Sequence, residues 1–527
     1  MTSAWLLLHG GRIYTRFDPP HAVEALLLHD GLVQAAGDRG EVEAAAPRGL
    51  HALDLGGRVV LPGLIDAHLH LEQLAWNYDA VDADCARLEE VVARVRARAA
   101  ARPAGSWILG HGWNQTAWGR FGTAAELDSA APAHPVYLTA RSLHAGWANR
   151  AALARAGITA GTPDPPDGVI GRDAEGHPTG ILLEGAMRLM SEALPQPTPA
   201  ESAEQIARAQ EALWALGLTG VHDFDGQRCL EALRLLRGSG RLGLRVVKQI
   251  RLQDFDQGLA HGLHSGAGDA WIRIGHLKLF ADGALGPRTA AMLEPYDGEP
   301  HNRGLLLLEA EALAAHGRRA AQAGLALAIH AIGDRANRAA LNALEALTRE
   351  QAPPLPHRIE HVQLIDARDQ PRLAALGVTA SMQPIHATSD RPMADRYWGD
   401  RVRYAYAWNS QRRLGARLAF GSDAPVESPS PLLGLHAAVT RRGADGQPGP
   451  EGWVPEERLT AAQTLEAYTA GPARAVGLEP LQGRLEPGSW ADLVVLGRDP
   501  LATDPDELAR LAPEATMVDG EWRVRRF

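Results

Sequence analysis

Leu61-Pro62-Gly63-Leu64-Ile65-Asp66-Ala67-His68-Leu69-His70 decides the reading of this chain. An apolar run opens after a Pro-Gly pair and closes on alternating histidines. Residues two apart in a strand share a face, so His68 and His70 project together, and two imidazoles on one face can bind one cation.

Working outward from it, seven more short apolar or β-branched runs each precede a helical, Ala/Leu/Arg-rich stretch: Thr219–Phe224, Arg245–Arg251, Ile272–Phe280, Leu325–Ala331, Arg358–Val362, Val378–Gln383 and Arg417–Ser422. With Leu64–His70 they make eight βα units, the number that closes a (β/α)8 TIM-type barrel in the α/β class. Residues from about 75 to 205 read as an insertion after the first strand, with strand-like runs at Trp107–Gly110 and Val136–Ala140. The first 60 or so residues carry apolar runs separated by Gly10-Gly11, Asp30-Gly31 and Gly56-Gly57, and the C-terminal end has Ala491–Leu496 and the turn pair Asp519-Gly520. Such pairs between apolar runs are hairpin signals. Neither end is large enough to fold alone, so residues 1–61 and 472–527 are expected to form one small β-sandwich beside a barrel of residues 62–471.

The composition excludes several classes. The 527 residues are 45% hydrophobic and 22% charged, as in soluble globular proteins. A net charge of −10 with scattered Lys and Arg argues against a nucleic-acid partner. Two distant cysteines, Cys85 and Cys229, exclude a disulfide framework and fit a cytoplasmic protein. No signal peptide is expected, and no run reaches the ~18 apolar residues of a membrane span.

Five of the eight strands carry a ligand-type residue at or near the C-terminal end, where barrel enzymes place their sites. Beyond His68 and His70 these are Lys278, His330, His361 and Asp423. Imidazoles and a carboxylate suit Zn²⁺, Mn²⁺, Fe²⁺ or Ni²⁺, and Asp423 is placed to take and return a proton. Each has a plainer reading taken singly: a strand-end His as a hydrogen-bonded core residue, Asp423 as a helix cap. Joint placement is what the plainer reading does not foresee. Around the site, Trp113, Asn114, Arg141, His144, His222, Arg288 and His386 are candidate substrate contacts. Trp113 and His144 lie in the insertion, His222 reads equally well as a support behind the ligands, and Arg288 is the preferred anchor because a guanidinium grips a carboxylate bidentately. His276 reads as a lower layer of the barrel and Asp334 as a helix cap.

The sequence resembles the amidohydrolase superfamily, and within it the amidohydrolase 3 branch, similar to N-substituted formamide deformylases. The opening motif is residues 61–70 and the closing motif Gly421-Ser422-Asp423-Ala424-Pro425-Val426; KLFADGALGPRTA (278–290), HAIGDRA (330–336) and HRIEHVQL (357–364) match the branch, and GSWADLVVL (488–496) matches the companion sandwich. Pro287 departs from the pattern, where relatives often carry a small polar residue. The resemblance implies that His68, His70 and Asp423 bind one divalent cation and His330 and His361 a second. It implies that Lys278 bridges the two as a CO₂-derived carbamate; with Lys278 unmodified, a one-metal site is the better description. Zinc is the expected ion, a small molecule the expected partner and a homodimer the expected assembly. The expected reaction is hydrolysis of a non-peptide C–N bond in an amide, formamide or cyclic amide. The alternatives are an ester, lactone or organophosphate at the same metals, or a catalytically silent scaffold.

Overall fold

The computed structural model describes residues 5–527 except 48, 141–144, 167 and 195. Two compact units are present: residues 1–72 together with 206–527, and residues 73–205.

The first unit contains an eight-stranded parallel sheet in strict chain order, Leu64–Leu69, Leu218–Asp223, Arg245–Arg251, Ile272–Phe280, Ala326–Ala331, Arg358–His361, Thr379–Met382 and Arg417–Phe420. The sheet closes into a barrel just past its strand ends. There the His70 amide donates to Ala424 O at 2.8 Å, and the Asp423 amide to His68 O at 2.6 Å. Both faces are covered, which is why these strands read as apolar runs. On the first strand Ile65 and Ala67 pack outward among Ala473, Ala475 and Val476, leaving Asp66 and His68 to the interior. The surrounding helices are amphipathic. Asp334–Glu350 buries Ala336, Ala340, Leu344 and Leu347, a spacing of three and four residues that keeps one stripe against the sheet.

Several predicted strands run one or two residues too far. Val362, Gln383, Ser422 and His70 lie beyond the ladders. The cause is visible at His361, Val362 and Asp423, whose φ values of 76°, 45° and 61° turn the chain out of strand geometry as it reaches the barrel mouth.

Both chain ends contribute to one mixed sheet, ordered Glu521–Arg525, Pro513–Val518, Leu493–Leu496, Val59–Pro62, Leu6–Phe17, Pro20–His29 and Leu32–Gly37, with His51–Asp54 paired to Leu6–Phe17. It curls until Val33 bonds to Gly488 and Ser489 and encloses a core of Leu8, Leu26, Val60, Val495 and Met517. Asp30-Gly31 and Asp519-Gly520 are hairpin turns with both residues at positive φ. Gly10-Gly11 is different from its expectation. It is an irregularity inside one continuous strand, because Gly10 lies against Asp54, where a Cβ would fall 2.1 Å from Oδ1.

The second unit has a six-stranded sheet ordered Gly168–Arg172, Pro178–Glu184, Ala145–Ala148, Val136–Ala140, Ile108–Trp113 and Val81–Asp82, with a core around Trp113, Trp147, Leu127 and Leu138. Among the described residues no helix is long and apolar enough to cross a membrane.

Candidate metal centre

A buried carboxylate adds to the backbone bonds between strand one and the turn after strand eight. Asp66 accepts from the His68 amide (3.0 Å), the Ser422 amide (3.0 Å) and the Ser422 hydroxyl (2.5 Å). Gly421 completes this contact, since a Cβ there would sit 2.4 Å from His68 N. The outcome is convergence: His68 Nε2 and His70 Nε2 each lie 3.5 Å from Asp423 Oδ1, in a cluster whose ligand atoms all fall within 4.8 Å.

The other two histidines stand alongside. The His330 and His361 ring centroids are 4.6 Å apart, and His361 is 5.0 Å from His68. Strand register does this, pairing His330 with Glu360 and Ala331 with His361. Lys278 is buried, with Nζ 4.6 Å from the Phe224 ring and 4.8 Å from the Phe280 ring. Burial pushes its pKa down to about 8, with Arg358 adding to the effect and Glu360 and Asp423 opposing it.

The partners of the imidazoles test whether this set suits a cation. His68 Nδ1 meets Glu360 Oε2 at 2.7 Å, His70 Nδ1 meets Asp225 Oδ1 at 3.3 Å and His361 Nδ1 meets Gln383 Oε1 at 2.8 Å. His330 uses the opposite nitrogen, Nε2, against Gly283 O at 2.8 Å. Oxygen acceptors take the ring proton of His68, His330 and His361, so each keeps a lone pair on its other nitrogen; His70, whose hydrogen bonds to Asp225 and Asp423 outweigh burial and raise its pKa to about 9, gives up its Nε2 proton when a cation binds there. That is the tautomer a metal ligand needs, held by an outer partner. The residues present therefore fit a divalent cation.

Behind His68 lies a charged network with no exposure. The Glu360 carboxylate accepts from Arg358 Nε (2.5 Å) and Nη2 (3.0 Å), while Arg358 also donates to Ala67 O and Ser381 Oγ, both at 2.7 Å. Burial alone would raise the Glu360 pKa, but Arg358 and His68 hold it well below the usual carboxylate range. Asp423 behaves alike: the hydrogen bond from His70 outweighs burial and holds it well below the usual carboxylate range. Behind His70, Asp225 also accepts the Glu72 amide at 2.6 Å. Asp223, Asp225 and Cys229 form a second ligand-type cluster, but Lys248 Nζ already lies 2.7 Å from Asp223 and neutralises it.

Where described, the other sequence candidates have partners of their own. Trp113 is fully buried in the core of the 73–205 unit and donates its indole N–H to Leu138 O. Arg141 and His144 lie outside the described residues. His222 is buried in the barrel with Nδ1 against Arg358 at 2.8 Å. The Arg288 guanidinium is engaged by Glu299 (2.7 Å) and the Tyr397 hydroxyl (3.3 Å). His276 bridges Gln249 and Pro356 O inside the barrel. Asp334 is not the cap, a position held by Gly333; its carboxylate accepts the Leu293 amide and pins the loop after strand four. Arg358, Glu360, Asp66 and Asp225 escaped the sequence reading, although ionisable residues two apart inside a buried strand, as in Arg358-Ile359-Glu360, have to be paired.

The model of the amidohydrolase family matches residues 51–524. The chain is 33% identical to YtcJ of Bacillus subtilis (strain 168), over 99% of each chain. It is 31% identical to the N-substituted formamide deformylase of Arthrobacter pascens, over 95% of each. An uncharacterized metal-dependent hydrolase from Pyrococcus furiosus superposes with a TM-score of 0.81 at 31% identity, covering 94% of this chain and 100% of that one. This chain therefore belongs to the amidohydrolase family and is a hydrolase acting on carbon–nitrogen bonds.

Proposed function

We propose that this protein hydrolyses the amide-type C–N bond of a small N-substituted formamide or related non-peptide amide, at a centre holding one or two divalent cations, zinc first among them. His68, His70 and Asp423 would hold one ion. His330 and His361 would hold a second, with Lys278 as the bridge once its neutral amine has added CO₂ and released a proton. The observation that carries the reading is the convergence of His68 and His70 on one ionised Asp423, with the His361 and His330 rings alongside and one nitrogen of each imidazole committed to an oxygen acceptor.

Bound cations supply Lewis acidity, which lowers the pKa of water from 15.7 towards about 7. The Asp423 carboxylate, free of protons and 3.5 Å from both His68 and His70, accepts a proton from the water that adds to the carbonyl carbon. The C–N bond then breaks and Asp423 returns that proton to the leaving nitrogen, giving carboxylic acid and amine. Glu360 and Asp225 keep His68 and His70 in the ligating tautomer throughout.

Metal content per chain, for protein produced with bicarbonate and purified without chelators, tests this beside a Lys278→Ala variant. Two ions in the wild type falling to one or none in the variant supports the bridged pair. One ion in both makes the site mononuclear and Lys278 structural. No metal in either, even after reconstitution, ends the hydrolytic mechanism. Parallel assays on N-substituted formamides, esters and lactones decide the bond.

A further inference from the structure

The helix Pro384–Trp398 begins directly after the seventh barrel strand and carries His386 in its first turn. The His386 side chain is 8% exposed, its ring 6.2 Å from that of His361. Its Nε2 points at Asp423, 3.9 Å from Oδ2, and has no hydrogen-bond partner among the described residues. The other nitrogen, Nδ1, faces Gln363 Nε2 at 3.2 Å. That amide nitrogen also lies 3.4 Å from Asp390 Oδ2, which the Tyr406 hydroxyl fixes at 2.6 Å. An amide beside a carboxylate turns its NH₂ towards it, since its oxygen would be repelled. Gln363 therefore donates to His386 Nδ1, and a nitrogen accepting a hydrogen bond carries no proton. The proton of the neutral ring sits on Nε2, the atom turned into the metal centre.

A buried N–H without an acceptor is costly and is retained where a ligand completes it. We propose that His386 is a catalytic residue whose Nε2–H donates to the carbonyl oxygen of the scissile amide as that oxygen gains charge. Donors fixed in advance towards developing charge are among the strongest catalytic devices, because nothing reorganises during the reaction. Gln363, Asp390 and Tyr406 are positioning residues: they set the tautomer and the ring's direction without reaching substrate. No proton leaves His386, so the bond changes are those of the hydrolysis at Asp423, on which this inference rests.

The test compares metal-loaded wild type, His386→Ala and His386→Gln on N-butylformamide and on its thioformamide analogue, whose sulfur is a poor acceptor. His386→Ala should lower kcat on the formamide by about 10²–10³-fold, with metal content unchanged. The oxygen-to-sulfur rate ratio should shrink by roughly tenfold or more in that variant, because the bond to oxygen is already gone. His386→Gln, which keeps a donor, should recover part of the loss. An equal loss on both substrates, or a loss that follows metal content, overturns the assignment. ¹⁵N NMR of the His386 ring in the metal-loaded wild type supplies an arm independent of substrate. A proton on Nε2 supports the proposal and a proton on Nδ1 overturns it. Failure of the wild type on every formamide would refute the substrate reading alone, leaving His386 to be judged by the ring tautomer.

Discussion

Replacing Glu360 by Gln changes one atom in a fully buried network, and the structure says what that atom supports. One carboxylate satisfies three donors: Arg358 Nε, Arg358 Nη2 and His68 Nδ1. A glutamine offers one oxygen and one NH₂. Whichever way it turns, the NH₂ opposes a donor, and the Arg358 charge is left uncompensated at zero exposure. Breaking a buried pair from one side costs about 3–5 kcal/mol. A misaligned His68 should also weaken metal binding by about 10–100-fold. Chemical denaturation of the metal-free proteins reads the first effect, and competition with a chelator of known affinity reads the second. An Arg358→Met/Glu360→Leu double variant separates them: with both charges gone most of the stability should return, while the metal affinity should not. A Glu360→Gln variant within about 1 kcal/mol of wild type would refute the reasoning, as would a double variant no more stable than the single one.

Three further outcomes follow from the same geometry. Lys278 has a folded-state pKa of about 8 against 10.5 for the free side chain. The folded state therefore binds fewer protons between those values, and burying the ammonium costs stability fully below pH 8 and progressively less as pH rises towards 10.5. Metal-free Lys278→Met should thus be more stable than wild type at pH 7, by about 3 kcal/mol, an advantage that shrinks in denaturation curves taken above pH 10; a pH-independent gap would contradict it. Gly421→Ala would place a methyl 2.4 Å from His68 N and 2.6 Å from Asp66 Oδ1. It should cost about 3 kcal/mol or more by forcing the barrel seam apart, seen as a lowered melting temperature even without metal. Asp225→Asn should weaken metal binding by about 10-fold or more while Cys229→Ser leaves it near wild type, read by metal titration; equal effects would show that the cluster serves packing and not His70.

The barrel was legible because its signal is local and repeated. Strands buried on both faces must be apolar throughout, and each helix must present a stripe to the sheet, so Leu64–Leu69 and Asp334–Glu350 announce themselves within a few residues. The proposed ligands at the strand ends stood out for a related reason: His68, His70, Lys278, His330, His361 and Asp423 are costly inside apolar runs and contrast with them. What the linear chain could not supply was partnership across it. Glu360 orients a histidine 292 residues away, Asp66 binds Ser422 across 356, and Gln363 sets the tautomer of His386 from a different strand end. Trp113 and Arg288 were read as substrate contacts from residue type, and only the structure shows their protein partners, a hydrophobic core for one and Glu299 for the other. Hydrophobic periodicity is a property of neighbours in sequence, so sequence sufficed to determine the architecture. The direction of a ring proton depends on which acceptor closure of the barrel brings within 3 Å, and only the tertiary structure decides that.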